Sequence, residues 1–329
     1  MGYVRKIVAL TVALIFCLIC FVGCNDDKVN NEQLSLSGFS AHILDVGEGD
    51  AIFLHFPDGK NMLIDCGDKK DGLGEYIINF IKNLGVKTLD YMMITHPDSD
   101  HTGNGEKIIN AFTVGKLFIP HIVEKSLIFY PVYESFYNLV LEREIQTDVS
   151  DCYDVIIGDG YKVAFLSPYP KNFPTSSYVD FNDSFSPSSE ESNALSPIIY
   201  VEVYGVRFVF TGDATVKQET VAMLNLKTNK AHYDYYDIDV NLSSVDFLKV
   251  AHHGGDDSSS EDFLSLLKPK NAIISVGANN VYGHPTRAVL ERLQKANAQY
   301  NLYRTDVYGT VSIGVNADGE IKILTEKNN

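Results

Sequence analysis

The sequence has no internal repeat, no cluster of basic residues and, beyond its first two dozen positions, no second long apolar run. Each absence excludes something. Lys and Arg number 27 against 43 Asp and Glu, leaving a net charge of −16. A surface this acidic repels polyanions at long range. Tight non-specific binding to duplex DNA needs a basic footprint that is missing here. A small substrate, or a strand gripped locally by metal ions, stays open. Cysteine is sparse. Of five residues, Cys17 and Cys20 lie in the N-terminal apolar run and Cys24 follows it, so only Cys66 and Cys152 remain in the body. That excludes a disulfide framework and a CxxC metal knuckle in the body. One bridge between the two and a pair of core thiols are the readings left, and the second is simpler. With 45% apolar and 21% charged residues over 329 positions, the remainder has the composition of a globular protein of one large domain or two small ones.

The N-terminal run, Ile7 to Gly23, carries no charge and follows the basic pair Arg5 and Lys6. It reads either as a membrane-spanning helix or as a cleaved signal peptide. Phe21-Val22-Gly23-Cys24 resembles the bacterial lipobox, with Phe21 where Leu is usual. That resemblance implies cleavage and lipidation of Cys24. Both readings tether the chain to the extracytoplasmic face of the bacterial cell membrane. The polar, aperiodic stretch after Cys24 reads as a flexible linker. The expected order is a signal peptide over 1–23, a tether over 24–38 and a folded domain over 39–325.

Within that domain, short apolar strands alternate with helical spacing. Phe39 to Phe56 shows β-type alternation broken by a Gly-rich turn at 46–50, and Pro57-Asp58-Gly59-Lys60 is a hairpin signal. Ile77, Ile78, Ile81 and Leu84 predict a helix, with Gly85 as its stop. Leu89 to Thr95 is a buried strand, 106–112 a helix and 116–120 a strand. The stretch 126–144 is helical with an interruption at Pro131, and Pro170 to Ser192 is a long loop. The run 197–213 is a hairpin turning at Gly205, and 231–245 is an insertion. Strands at 246–250 and 271–277, a helix over 286–296 and a closing hairpin over 302–315 complete the pattern. Polar clusters recur just past strand ends. This favours an α/β layered architecture with its site along one rim.

The densest of those clusters is THPDSDHTG, Thr95 to Gly103. Pro97 holds His96 extended. If Asp98 is also extended, residues two apart point the same way, so His96 and Asp98 address one cation. Asp100 and His101 follow where the chain leaves the strand and address a second point. Imidazole and carboxylate together suit a borderline or hard divalent ion. Three other strand ends add to the set: FTGD ends in Asp213, whose two oxygens can bridge two ions, KVAHHGG carries His252 and His253, and YGHP carries His284.

His96-Pro97-Asp98-Ser99-Asp100-His101 resembles the signature turn of the metallo-β-lactamase superfamily. With LDVGEGD, LIDCG, FTGD, HHGG and NNVYGHP in this order, the likeness is to its ComEC branch, the hydrolase domain attached to the DNA-uptake channel of competent bacteria. It covers nearly everything from Phe39 to Val315 and implies a four-layer αββα sandwich with the site at one edge, in a stand-alone, lipid-anchored relative of the channel. It also implies His96, Asp98, Asp100, His101, Asp213, His252 and His253 as metal ligands, with the choice within the last pair open. One or two divalent ions, Zn or Mn, would be held. Asp98 stands where most of the superfamily has His, and Glu48 replaces the branch's common Gln. ESNALSP offers only Asn193 and Ser196 where the superfamily supplies one more His, so one ion is expected to be loosely held.

The expected activity is hydrolysis of a phosphodiester by metal-activated water, with Asp98 or Asp100 orienting the water and His284 contacting phosphate or donating a proton to the leaving group. Single-stranded nucleic acid and a cell-envelope phosphoester are the two substrate candidates. A degenerate binding module without turnover is the alternative, and a true β-lactamase is disfavoured by Asp98. Asp45 and Asp50, which flank a Gly turn, read equally as turn formers and as catalytic groups. Asp65 reads as an orienting partner of a ligand histidine or as a strand-end cap. His42, His55, His121 and His232 read as structural or surface histidines, with His121 a spare candidate ligand. The tyrosines at 233–236 read as packing or as a stacking surface.

Overall fold

The computed structural model describes residues 38–122, 124–168 and 189–327. The expected signal peptide, Cys24 and nearly all of the tether lie outside them, as does most of the loop expected over 170–192. Among the described residues no helix is long and apolar enough to cross a membrane.

Among the described residues fifteen strands follow in chain order: β1 (Phe39–Ile43), β2 (Ile52–His55), β3 (Asn61–Ile64), β4 (Thr88–Met93), β5 (Thr113–Ile119), β6 (Thr147–Val149), β7 (Val155–Gly158), β8 (Tyr161–Phe165), β9 (Ile199–Val203), β10 (Val206–Phe210), β11 (Phe247–Lys249), β12 (Asn271–Ile274), β13 (Asn301–Arg304), β14 (Val311–Val315) and β15 (Ile321–Thr325). They form one sheet in the order β15-β14-β1-β2-β3-β4-β5-β6 and a second in the order β13-β12-β11-β10-β9-β8-β7.

Three apolar layers explain why these segments are strands. Phe39, Ile52, Leu54 and Met93 of the first sheet meet Val163, Phe165, Val201, Phe208 and Phe247 of the second in a shared core. The outer face of the first sheet, with Phe53, Leu63 and Met92, packs on Ile77, Ile81, Ile108 and Phe136 from helices Leu73–Asn83, Gly105–Ala111 and Pro131–Glu142. Ala164, Tyr200, Val209 and Leu248 face Phe263, Leu267, Val289 and Leu293 from helices Glu261–Leu267 and Arg287–Ala296. Successive side chains of a strand point to opposite faces, so Ile52 and Phe53 serve different layers. Both faces of each sheet are covered, which is why β1 is buried at every position rather than alternately exposed. This is the αββα sandwich.

The sheets also explain where a site can form. β1 and β3 both run antiparallel to β2, and β3 is parallel to β4. β10, β11 and β12 are mutually parallel. Carboxyl ends of parallel strands gather along one edge, and the loops leaving them line a common crevice.

Two expectations are corrected. The segment 302–315 is not a hairpin: β13 belongs to the second sheet and β14 to the first. A helical turn, Thr305–Tyr308, carries the chain between them, and Thr305 Oγ1 pins it by accepting from Val276 N at 2.9 Å. The true final hairpin is β14–β15. The end of the expected loop is likewise ordered, as helix Ser189–Asn193. The helical stretch over 126–144 is interrupted at Pro131 as expected: a 3-10 helix, Glu124–Phe129, ends before it, and Pro131 opens helix Pro131–Glu142, since its missing N–H is unneeded at the first helical position. Cys66 and Cys152 are both free and buried, as core thiols should be.

Candidate metal centre

Asp213 follows β10 and is nearly inaccessible. Its Oδ2 is the focus of four imidazoles. His101 Nε2 and His253 Nε2 each lie 3.3 Å away, and His96 Nε2 and His252 Nε2 each lie 4.0 Å away. Asp100 adds a second carboxylate, with Oδ2 at 3.4 Å from His253 Nε2 and 3.7 Å from His101 Nε2. Ligand atoms of Asp100, His101, Asp213 and His253 all fall within 4.8 Å of one another. Asp98 Oδ2 lies 3.7 Å from His96 Nε2.

The far nitrogen of each ring is already engaged. His101 Nδ1 pairs with Asp65 Oδ2 at 2.7 Å, His253 Nδ1 with the Ser275 carbonyl at 2.8 Å, and His252 Nδ1 with Asp257 Oδ1 at 2.6 Å. His96 Nδ1 meets Thr95 Oγ1 at 3.0 Å and Ser196 Oγ at 3.2 Å. So every ring is turned with Nε2 inward. The Nε2 atoms of His96, His101 and His253 are buried and make no aligned hydrogen bond. Groups so placed in a folded protein ordinarily have a partner. Imidazoles oriented through one nitrogen and bare at the other are what metal ligation requires. The donor set, nitrogen and carboxylate oxygen, fits a divalent ion.

Electrostatics agrees. Burial pushes His96 down to about 4, so it stays neutral, as a ligand must be. Burial also pushes Asp98 up to about 6, opposed by a hydrogen bond from Ser192 Oγ at 3.1 Å. For His253, burial works against charge, yet Asp213 and Asp100 raise it to about 10. His101 is raised well above its ordinary value against the same opposition, chiefly by Asp213. Asp213 in turn is held well below the usual carboxylate range by His253 and His101, despite its burial.

Local backbone geometry aims these groups. Asp98 is extended at φ −65° and ψ 148°, and helix Ser99–Thr102 then turns Asp100 and His101 to the second position. His252 and His253 occupy the left-handed region at φ 48° and 51°, as does Asp65 at φ 58°. Non-glycine residues held there store strain that the surroundings must compensate. Gly254 continues the turn at φ 87°, where a Cβ would come 2.5 Å from Pro285 Cβ. At the rim, His284 Nδ1 is paired with Glu48 Oε1 at 2.9 Å, and Glu48 Oε2 accepts from Gly277 N at 2.8 Å. The His284 ring lies 5.3 Å from that of His252.

The structure thus brings together His96, Asp98, Asp100, His101, Asp213, His252, His253 and His284. It places His253 in the tight quartet and His252 at its edge, where Asn193 Nδ2 approaches Nε2 at 3.3 Å. Asp65 is the orienting partner of His101, also accepting from Thr95 N and Oγ1. His121 is not in the quartet. His42 bonds Ser312 and Ser40, and His232 bonds the Tyr153 carbonyl, both structural roles. Tyr233 is packed, its hydroxyl donating to the Phe165 carbonyl, while Tyr235 stays exposed. Asp257 and Lys249 were missed. Lys249 had a visible signal, as the single charge inside the apolar run FLKVA.

A model of the metallo-beta-lactamase superfamily matches residues 44–278, well over half of the chain, and the protein belongs to that superfamily. Its relatives include Competence protein ComA of Neisseria gonorrhoeae, 25% identical over 277 residues. It is 30% identical over 284 residues to ComE operon protein 3 of Bacillus subtilis (strain 168), covering 82% of this chain and 32% of the relative. It is 27% identical over 267 residues to Recombination protein 2 of Haemophilus influenzae, covering 80% and 27%. The chain therefore spans about a third of the length of these relatives. Among solved structures, the metallo-beta-lactamase fold protein YhfI from Bacillus subtilis matches at a TM-score of 0.48 and 9% identity, over 87% of this chain and 99% of that one.

Proposed function

We propose that this protein is a divalent-metal-dependent hydrolase of a phosphodiester, tethered outside the cytoplasmic membrane through Cys24. The observation that carries the metal part is the convergence of four oriented imidazoles on Asp213 Oδ2. Asp100, His101, Asp213 and His253 would hold one ion. His96 and Asp98 would share Asp213 with a second, more loosely held one, because Asn193 stands where another imidazole would be needed. Mn²⁺ and Zn²⁺ are the ions this donor set suits. When bound, such an ion acidifies a water towards neutrality and draws charge from a phosphoryl oxygen.

The chain's own residues supply the rest. Asp98, raised by burial and steadied by Ser192, orients the attacking water and accepts its proton. His284 is fixed by Glu48 through Nδ1, which leaves Nε2 to hand a proton to the departing oxygen. Likeness to the competence proteins supports a phosphodiester, with single-stranded nucleic acid as one substrate. The acidic sequence counts against a nucleic acid, and the proposed surface location favours an envelope phosphoester as the other.

A second reading, a binding module without turnover, is favoured by Asn193 alone. Assay of the full chain in detergent separates the two. With Mn²⁺ or Zn²⁺ it should hydrolyse bis(p-nitrophenyl) phosphate and either a single-stranded oligonucleotide or a glycerol-phosphate polymer. Chelator should abolish turnover, and Asp100→Ala should reduce it by about a thousandfold or more, the scale on which losing an electrostatic contributor is felt. Bound metal with no turnover on any of the three substrates contradicts the hydrolase reading.

A further inference from the structure

Outside the quartet lies a buried charge pair, one partner of which, Asp50, also has a carboxylate oxygen within 4.8 Å of ligand atoms of Asp65 and His101. Lys249, the last residue of β11, and Asp50, just before β2, are both wholly buried, and the ammonium sits directly against Asp50 Oδ2. The same Nζ donates to the Gly212 carbonyl at 3.2 Å and lies 4.0 Å from Asp213 Oδ1. Asp50 is itself tied to the centre: its backbone N–H donates to the Asp100 carbonyl at 3.3 Å, and its Oδ1 lies 3.9 Å from His253 Nδ1.

A buried ion pair is a weak source of stability, because desolvation offsets most of its attraction. Its location points to another use. Asp50 rides on the first sheet with Asp100 and His101, while Lys249 rides on the second with Asp213 and His253. The pair joins the two halves of the quartet. It also breaks the symmetry of the Asp213 carboxylate, since Oδ2 faces the imidazoles and the charged neighbour of Oδ1 is Lys249.

We propose that Lys249, held by Asp50, is a positioning residue that sets the rotation of the Asp213 carboxylate, so that Oδ2 alone is offered to a bound cation. This rests on the metal-binding reading of the centre and on no particular substrate. The double variant Asp50→Asn/Lys249→Met tests it. Removing one charge of each sign leaves the net charge of the site unchanged, so a change in affinity reports orientation. Neutral replacement of both partners also avoids stranding a buried charge, so the fold should survive. Calorimetric titration of the metal-free full chain with Mn²⁺ should show affinity about ten- to a hundredfold below wild type, the usual effect of losing a partner behind a ligand. A folded double variant that binds Mn²⁺ like wild type overturns the proposal while leaving the metal centre standing. A wild-type chain that binds no Mn²⁺ or Zn²⁺ overturns both. Crystals of the Mn²⁺-loaded wild type give a test independent of the variant's folding. Asp213 should bind through Oδ2 with Oδ1 still beside Lys249, and chelation through both oxygens contradicts the proposal.

Discussion

At the scale of single residues, the ligand candidates were legible because their chemistry is local. His96, Asp98, Asp100 and His101 sit within six positions, and Pro97 fixes the conformation that separates them. The groups behind them were less legible. Nothing in the sequence distinguishes Asp65 as a cap from Asp65 as the partner of His101, because the deciding contact joins residues 36 apart. Its role now yields a prediction. Asp65 accepts from His101 Nδ1 and from both Thr95 donors, so Asp65→Asn replaces one acceptor by a donor. Metal affinity should fall about ten- to a hundredfold, and stability by about 1–3 kcal/mol, read by calorimetric titration and by denaturant unfolding. Unchanged affinity would return Asp65 to the role of a strand-end cap.

At the scale of elements, most strands and helices followed from apolar spacing, and the misreading over 302–315 has a specific origin. Two β-like runs with a Gly between them look the same whether they pair with each other or with different sheets. The choice is made by distant partners, β12 for one and β1 for the other. The turn over 46–50 is the element that brings the first sheet to the centre. Gly49 has φ 127°, and a Cβ there would stand 2.3 Å from the Asp100 carbonyl oxygen. Gly49→Ala should therefore displace the Asp100 backbone or strain the turn. We expect a loss of about 1–3 kcal/mol in denaturant unfolding, with weaker metal binding in the same variant. A variant as stable as wild type would mean that the turn yields at no cost and does not set the position of Asp100.

At the scale of the whole molecule, the αββα class was legible because alternating strands and helices with polar strand ends admit few layered solutions. The buried Lys249–Asp50 link was not, since a charge inside a strand conflicts with the apolar pattern and is explained only by the opposite sheet. The assembled centre couples global stability to protons and metal. In the metal-free protein burial disfavours the His253 imidazolium, but Asp213 and Asp100 raise its pKa to about 10. The stability this supplies is complete below an unfolded-state value of about 6.5 and is lost as pH rises through 10. The thermal midpoint of chelator-treated protein should therefore fall between pH 7 and pH 10. In saturating metal the imidazoles are already deprotonated ligands, so that fall should shrink. A thousandfold excess of metal over its dissociation constant adds about 4 kcal/mol. Parallel pH profiles with and without metal would separate the proton-linked term from the cation.

The most direct test of the central claim, that these side chains form a metal centre, is anomalous scattering from crystals soaked in Mn²⁺ or Zn²⁺. The geometry predicts a peak about 2 Å from Asp213 Oδ2 and from Nε2 of His101 and His253, at distances normal for such ligands. A second, weaker peak is expected on the His96–Asp98 side. A map with no peak beside Asp213, from protein that has kept its fold, would contradict it.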